Sequence, residues 1–301
     1  MFQILEKIII IFFLVTIFIY EIFIFFSKPL ISEMKEEKIF TFWEPSEKMP
    51  GYLRLCIDTW KKFLPKHKIY ILDYKKAKDF LGEELFNSII CKNMTLPIQA
   101  DAIRVALLKK YGGIWMDADI ILLNGEFLKE LKGFELVMLG DNKSKTQNIG
   151  FIYSTKNSSI INEWLCSIIK NVQIYKKNII DINHANNAIL RRMKSWNYLG
   201  NAIVDKLLKN VSNKKFFRLD RRKINALPEN RFFMNSKLNL IQRYQQYYFQ
   251  KRDFRFILNN SKNLIYLHNS WTPFKYKTLS KNQFLKQDIL LSRLLQYILK
   301  K

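Results

Sequence analysis

Residues 111–123 have the sequence YGGIWMDADIILL, in which two carboxylates interrupt an apolar run. Burying Asp117 and Asp119 is costly unless something compensates their charge. Side chains two residues apart on an extended segment point the same way, so a divalent cation between the carboxylates would provide this compensation. Oxygen-only ligands favour Mg²⁺ or Mn²⁺. A solvated turn without a metal is the alternative interpretation of such a short motif.

The residues before this stretch predict a helix over 97–111, with a proline in its first turn and a glycine pair after its last. Asp101 and Arg104 are three positions apart and therefore share one face of this helix. Their neighbours are mostly apolar, which indicates that much of the helix is buried. The pair is then either an internal ion pair or a ligand-binding pair, and an exposed salt bridge is the remaining alternative.

Strand-like and helical patterns alternate along the rest of the chain. Strands are predicted at 38–43, 67–73, 114–116, 134–140, 148–155 and 263–271, and helices at 52–63, 74–90 and 283–300, with a mostly helical region from 160 to 215. This alternation predicts an α/β fold with a mostly parallel central sheet flanked by helices. Ligands bind at the carboxyl ends of strands in such sheets, and the two aspartates follow the strand at 114–116.

The composition fits a globular domain with a basic surface. Hydrophobic residues make up 49% of the chain, and 50 Lys+Arg against 26 Asp+Glu give a net charge of +24. The charge favours an anionic partner, such as a nucleic acid, a phosphate-bearing substrate or an acidic membrane, although coding bias explains it equally well. The three cysteines show no disulfide or zinc spacing, which favours a reducing compartment.

The amino terminus carries a long apolar run, residues 8–26, broken only by Glu21. Its length predicts a retained transmembrane helix, and a buried core helix is the alternative. The chain therefore divides into an anchor at 1–27, a charged linker at 28–37 and a catalytic domain at 38–301. More lysines follow the run than precede it, which predicts that the catalytic domain lies in the cytoplasm, on the bacterial inner membrane.

Three stretches resemble one enzyme family. ADAIRVALLKKYGGIWMDADIIL (100–122) is similar to the core motif of DXD-type sugar transferases, which include the capsular polysaccharide synthesis proteins and the glycosyltransferase family 32 group. KIFTFWEP (38–45) resembles the first strand of these enzymes, and LHNSWTPF (267–274) resembles their late loop. Between 124 and 262 the match is loose.

This resemblance implies a GT-A type nucleotide-sugar-binding fold and a metal-dependent glycosyltransferase, a hexosyltransferase that retains anomeric configuration. The donor would be a UDP- or GDP-sugar, the acceptor a glycan or lipid-linked saccharide, the cofactor Mn²⁺ or Mg²⁺, and the product a surface polysaccharide. No nucleic acid partner is expected. The resemblance assigns the catalytic role to four residues, which are Asp101, Arg104, Asp117 and Asp119. It also implies that Asp101 binds ribose or donor-sugar hydroxyls and that Arg104 binds the sugar or a phosphate.

The same resemblance implies roles for five further residues. Trp43 would stack on the base, Asn148 would line the donor-sugar pocket, and Trp271 would close over the diphosphate. His268 or Asn269 would complete the metal shell beside the two aspartates. Core packing is the alternative for both tryptophans, and a structural role is the alternative for the histidine.

Two rival functions remain open at this point. A haloacid-dehalogenase-like phosphatase also carries DxD after an apolar strand, but it expects Thr or Val soon after the second aspartate, where this chain has Ile120. A membrane-tethered basic binding protein would explain the charge but not the four polar residues. Bases and aromatic residues interleave at 243–256, which indicates a nucleic-acid surface, a surface for a lipid-linked acceptor, or core packing.

Overall fold

A computed structural model describes residues 37–141, 146–179, 188–212, 215–220, 238–260 and 263–300. Residues Glu37–Lys301 form one compact unit. The strands are β1 (Lys38–Phe42), β2 (Lys68–Leu72), β3 (Gly113–Met116), β4 (Ile120–Leu122), β5 (Leu136–Gly140), β6 (Gln147–Ser154), β7 (Phe216–Asp220) and β8 (Leu264–Tyr266). The helices are α1 (Gly51–Phe63), α2 (Tyr74–Leu81), α3 (Glu83–Ile89), α4 (Leu96–Tyr111), α5 (Ser159–Lys177), α6 (Ala188–Met193), α7 (Asn201–Leu207), α8 (Leu240–Tyr248), α9 (Arg255–Asn260), α10 (Phe274–Lys277), α11 (Lys281–Leu285) and α12 (Leu290–Lys300).

Six of these strands form a mixed central sheet in the order β2-β1-β3-β6-β5-β7. Within the described residues, β6 pairs antiparallel with both of its neighbours, and the other pairs in this sheet are parallel. The mostly parallel arrangement predicted from the alternating pattern is therefore present. A separate two-stranded antiparallel sheet joins β4 to β8.

The central sheet has a hydrophobic core on each face, because successive side chains of a strand point to opposite sides. Along β3, Ile114 and Met116 contribute to one core and Trp115 contributes to the other. The first core also contains α1, α8, α12 and the small sheet, and the second contains most of α4 and α5. The mixed α/β architecture thus has helices on both sides.

Helix α4 is buried nearly all round, since it lies between the central sheet and α5. This position explains why its sequence shows no polar face except in the last turn. Gly112 ends the helix with φ +66°, and Gly113 follows with φ +97°. A Cβ on Gly113 would also overlap the carbonyl oxygen of Lys38 in β1. The glycine pair therefore lets the chain turn from α4 directly into β3.

Four aromatic side chains of the interleaved segment 243–256 lie in the core. Tyr244, Tyr247, Tyr248 and Phe249 are all buried. Of the three interpretations of this segment, the structure supports core packing.

The predicted helix at 283–300 is two helices, α11 and α12. Between them the chain turns, and the amide of Leu290 donates a hydrogen bond to the carbonyl of Gln250 (2.8 Å). This contact with the end of α8 redirects the chain, which the amphipathic pattern alone does not reveal.

The predicted fold class included one transmembrane helix, and this part of the prediction is wrong. No helix within the described ranges is both long enough and apolar enough to cross a membrane. The 19-residue helix α5 has sufficient length, but its sequence includes Glu163 and three lysines outside its buried face. The predicted membrane-anchored location on the cytoplasmic face is corrected for the same reason. The run at 8–26 on which both predictions were based lies outside the described residues.

Candidate functional site

Asp117 and Asp119 lie on a tight turn between two sheets. Strand β3 of the central sheet ends at Met116, and β4 of the small sheet begins at Ile120. The amide of Ile120 donates to the carbonyl of Asp117 (3.1 Å), which closes the turn. The sequence had indicated one continuous extended segment, and this detail is wrong. The turn nevertheless sits at the carboxyl end of β3, the edge at which α/β sheets bind ligands.

The carboxylate of Asp117 is held by three neighbouring side chains. Its Oδ1 accepts a hydrogen bond from Trp115 Nε1 (2.8 Å), and its Oδ2 accepts one from the hydroxyl of Tyr266 (2.7 Å). The guanidinium of Arg104 lies 3.5 Å from Oδ1. The Asp117 side chain is still 29% exposed. These contacts therefore orient the carboxylate, and part of it remains accessible to solvent.

Asp119 is held against the segment that follows β8. Its Oδ2 accepts from the amide of Asn269 (2.9 Å), and its main-chain oxygen accepts from the amide of Leu267 (3.0 Å). Its Oδ1 is buried and has no hydrogen-bond partner. Burial raises the pKa of Asp119 to about 7, and the nearby negative charge of Asp117 adds to this effect. A cation beside Oδ1 would remove both penalties.

Asp101 and Arg104 form an internal ion pair on α4. The two side chains are 5% and 7% exposed, and Arg104 Nη2 lies 3.1 Å from Asp101 Oδ1. Burial raises the pKa of Asp101 to about 7, although the charge of Arg104 opposes this shift. Burial alone would lower the pKa of Arg104, but Asp117 and Asp101 raise it, so the guanidinium stays charged. The alternative of an exposed salt bridge is wrong.

Arg104 connects the buried pair to the turn. Its Nη1 donates to the carbonyl of Ile149, and its guanidinium lies over the ring of Trp115, 4.9 Å from the centroid. Because the same group reaches both Asp101 and Asp117, the structure brings these three residues into one charged network. Asp119 also interacts electrostatically with this network, since its charge contributes to raising the pKa of Arg104.

Three residues that contact Asp117 were not predicted as site residues from the sequence, and these are Trp115, Tyr266 and Gly150. Tyr266 ends β8, 149 residues from the aspartate to which it donates. Burial, followed by the charge of Asp117, raises the pKa of its hydroxyl, which therefore remains a donor. Gly150 lies opposite, where a Cβ would overlap the Tyr266 ring. An isolated glycine inside a strand pattern signals such a close approach, and this was the signal available.

The segment 267–271 lies beside the turn through Asn269. The ring of His268 stacks on Trp271, with centroids 4.0 Å apart, and its amide donates to the hydroxyl of Tyr244 (3.2 Å). Trp271 is half-buried against the core. The structure therefore brings both residues next to Asp119, while their roles as metal ligand and diphosphate cover stay predictions.

Trp43 and Asn148 lie at the same edge of the sheet as the turn. Trp43 directly follows β1, which is parallel to β3. Asn148 lies near the start of β6, which runs antiparallel to β3. Its Oδ1 accepts a hydrogen bond from the amide of Gly150 (2.8 Å), two residues further along the same strand. Base stacking by Trp43 and sugar contact by Asn148 remain predictions.

The carboxylate oxygens of Asp117 and Asp119 fit a divalent cation whose remaining ligands come from the substrate. Within the described residues, no three His, Cys, Asp or Glu side chains are grouped as a metal site. Mg²⁺ commonly uses only one or two carboxylates together with substrate phosphates and water. The unpartnered Oδ1 of Asp119 and the partly exposed carboxylate of Asp117 match this requirement.

Comparison with protein families gives a match over most of the chain. Residues 9–290 match the model of a family described as capsular polysaccharide synthesis protein. No curated protein matches the chain.

Among solved structures, similar ones include PaToxG glycosyltransferase (21% identity, 57% of this chain and 68% of that chain, TM-score 0.37). Glycosyltransferase GlyE of Streptococcus pneumoniae TIGR4 shows 10% identity over 88% of this chain and 60% of its own (TM-score 0.42). Mouse xyloside xylosyltransferase 1 shows 12% identity over 79% and 99% (TM-score 0.39). At these TM-scores the three likenesses carry no conclusion about this chain.

Proposed function

The chain belongs to the family of capsular polysaccharide synthesis proteins, and on that premise we propose how it acts. The predicted enzyme class is confirmed, and the chain is a glycosyltransferase of capsular polysaccharide synthesis. The proposed reaction moves a sugar from a UDP- or GDP-sugar to a glycan or lipid-linked saccharide, with Mn²⁺ or Mg²⁺ as cofactor.

The observation that carries this proposal is the unpartnered Oδ1 of Asp119. A buried carboxylate oxygen without a donor is costly, and such a group in a folded protein needs an explanation. The nearby guanidinium of Arg104 does not neutralise this oxygen, because it pairs with Asp101 and Asp117 instead. A divalent cation held by Asp117 and Asp119 would supply the missing partner.

Asp117 and Asp119 would hold the cation. When bound, the cation would neutralise the charge that develops on the leaving diphosphate. Tyr266 and Trp115 fix the Asp117 carboxylate by donating to its two oxygens, so it does not reorient when the donor arrives. The amide of Asn269 performs the same task for Asp119.

Asp101 and Arg104 serve the donor sugar in this proposal. The charge of Arg104 favours the ionised form of Asp101, and its guanidinium also lies 3.5 Å from Asp117 Oδ1. Asp101 would accept hydrogen bonds from ribose or sugar hydroxyls. Gly200 leaves the space beside the Oδ2 of Asp101, since a Cβ there would overlap this oxygen.

The remaining proposed roles belong to residues near the same edge of the sheet. Trp43 would stack on the base, Asn148 would line the donor-sugar pocket, and Trp271 would cover the diphosphate. His268, whose ring stacks on Trp271, would be a further ligand of the cation.

Calorimetric titration of the protein with UDP, GDP and CDP, each with and without Mn²⁺, tests the proposal. We expect one nucleotide to bind in a metal-dependent manner and Asp119→Asn to abolish this binding. The surface variant Asp288→Asn, which loses an exposed pairing with Lys251, is the matched control and should bind normally. Binding that is equally strong without metal, or that survives in Asp119→Asn, would overturn the proposal.

A further inference from the structure

A cleft lies next to the 269–271 turn, between α8 and the start of α10. Its volume is about 430 Å³, within the range of small-molecule sites. We propose that this cleft binds the acceptor, as an uncharged, hydroxyl-rich saccharide. The proposal rests on the glycosyltransferase function above and adds where the second substrate binds and what its chemistry is.

The lining of the cleft is dominated by amides. Gln242, Gln245 and Gln246 lie on one face of α8, and Gln250 continues this row two residues beyond its end. Each amide offers both donors and acceptors, as sugar hydroxyls require. Among the lining residues that the structure describes, Lys275 carries the only charge. In a chain of net charge +24, so weakly charged a cleft is suited to a neutral ligand rather than a polyanion.

Aromatic rings complete the cleft. Phe249 and Tyr276 stack on one another with centroids 4.9 Å apart and planes 24° apart. Both rings are mostly buried and therefore rigid, and their small exposed parts give the cleft an apolar floor beneath the amide row. Phe274 follows the lining residue Pro273 in sequence and is 79% exposed, so a large apolar ring stands uncovered beside the cleft.

Gln245 joins the cleft to the candidate metal site. Its Nε2 donates to the carbonyl of Trp271 (2.9 Å). Trp271 belongs to the same turn as Asn269, whose amide donates to Asp119 (2.9 Å). The 269–271 turn thus contacts Asp119 through Asn269 and the amide row through Trp271. An acceptor in the cleft would lie beside the donor without sharing its residues.

Saturation-transfer NMR tests this inference with a panel of methyl α- and β-glycosides of glucose, galactose, mannose and N-acetylglucosamine. We expect sugar-proton signals with the wild-type chain, and about tenfold weaker binding in Gln246→Ala/Gln250→Ala, which loses two amide partners. Gln287→Ala, which removes an amide bonded within the C-terminal helices, is the matched control and should bind like the wild type.

Failure of this inference is distinguishable from failure of the donor proposal. Gln246→Ala/Gln250→Ala should keep metal-dependent nucleotide binding, and Asp119→Asn should keep the sugar signals. Glycoside signals that persist undiminished in the cleft variant, or no signal from any glycoside, would overturn the acceptor assignment. Displacement of the glycosides by inorganic phosphate would also overturn it, because it would identify an anion site at Lys275.

Discussion

Replacing Tyr266 with Phe removes one oxygen and leaves the rest of the ring in place beside Gly150. The lost hydroxyl donates to Asp117 Oδ2 at 2.7 Å. A hydrogen bond to a charged group contributes about 1.5–3 kcal/mol, and removing a partner that orients a metal ligand typically costs about 10–100-fold in metal affinity. These two magnitudes agree, since about 1.4 kcal/mol corresponds to a tenfold change. We therefore expect Mn²⁺-dependent nucleotide binding to weaken by about 10–100-fold.

The assay is calorimetric titration with the nucleotide that the wild-type chain binds, at fixed Mn²⁺. Tyr74→Phe is the matched control, because it also deletes a hydroxyl, one that donates to Gln99 (2.9 Å) on the opposite core, and it should bind nucleotide normally. If Tyr266→Phe binds nucleotide as tightly as the wild type does, Tyr266 does not orient Asp117 for a metal, and the reasoning fails.

Three further predictions concern the same network. Gly150→Ala should weaken metal-dependent nucleotide binding at least as much as the tyrosine variant, since the added Cβ displaces the Tyr266 ring; normal binding in a titration would contradict the close approach. Arg104→Met should lower the free energy of unfolding by about 3–5 kcal/mol in chemical denaturation, because it leaves the Asp101 carboxylate buried without its partner. A loss below about 1 kcal/mol would argue against an internal ion pair. Burial raises the pKa of Asp101 and of Asp119 from 3.8 to about 7, so the folded state binds more protons than the unfolded state between these values. The stability of the metal-free protein should therefore fall as pH rises from about 4 to about 7, and denaturation midpoints that rise over this interval would contradict the assignment.

Much of the fold is predictable because it depends on local patterns. The strands at 38–42 and 68–72 and the helix at 96–111 agree with their sequence predictions to within a residue or two. Periodicity and the glycine pair after α4 are sufficient for these elements. The break between α11 and α12 was not predictable, because a contact with Gln250 in a distant segment causes it.

The site shows the same division between local and distant contacts. The spacing of Asp101 and Arg104 predicted a shared face, and the structure pairs them directly. The turn at 117–119 was read as extended, since apolar residues flank it on both sides and nothing local reveals that they belong to two sheets. Tyr266 was missed because its contact with Asp117 depends on β8 pairing with β4.

The most direct test of the account is electron paramagnetic resonance of Mn²⁺ in the presence of the bound nucleotide. The account predicts that the wild-type chain removes one Mn²⁺ per chain from the free-ion signal and that Asp117→Asn/Asp119→Asn removes none. Mn²⁺ binding that is unchanged in this double variant would show that the two carboxylates do not hold the metal, and it would contradict the central claim.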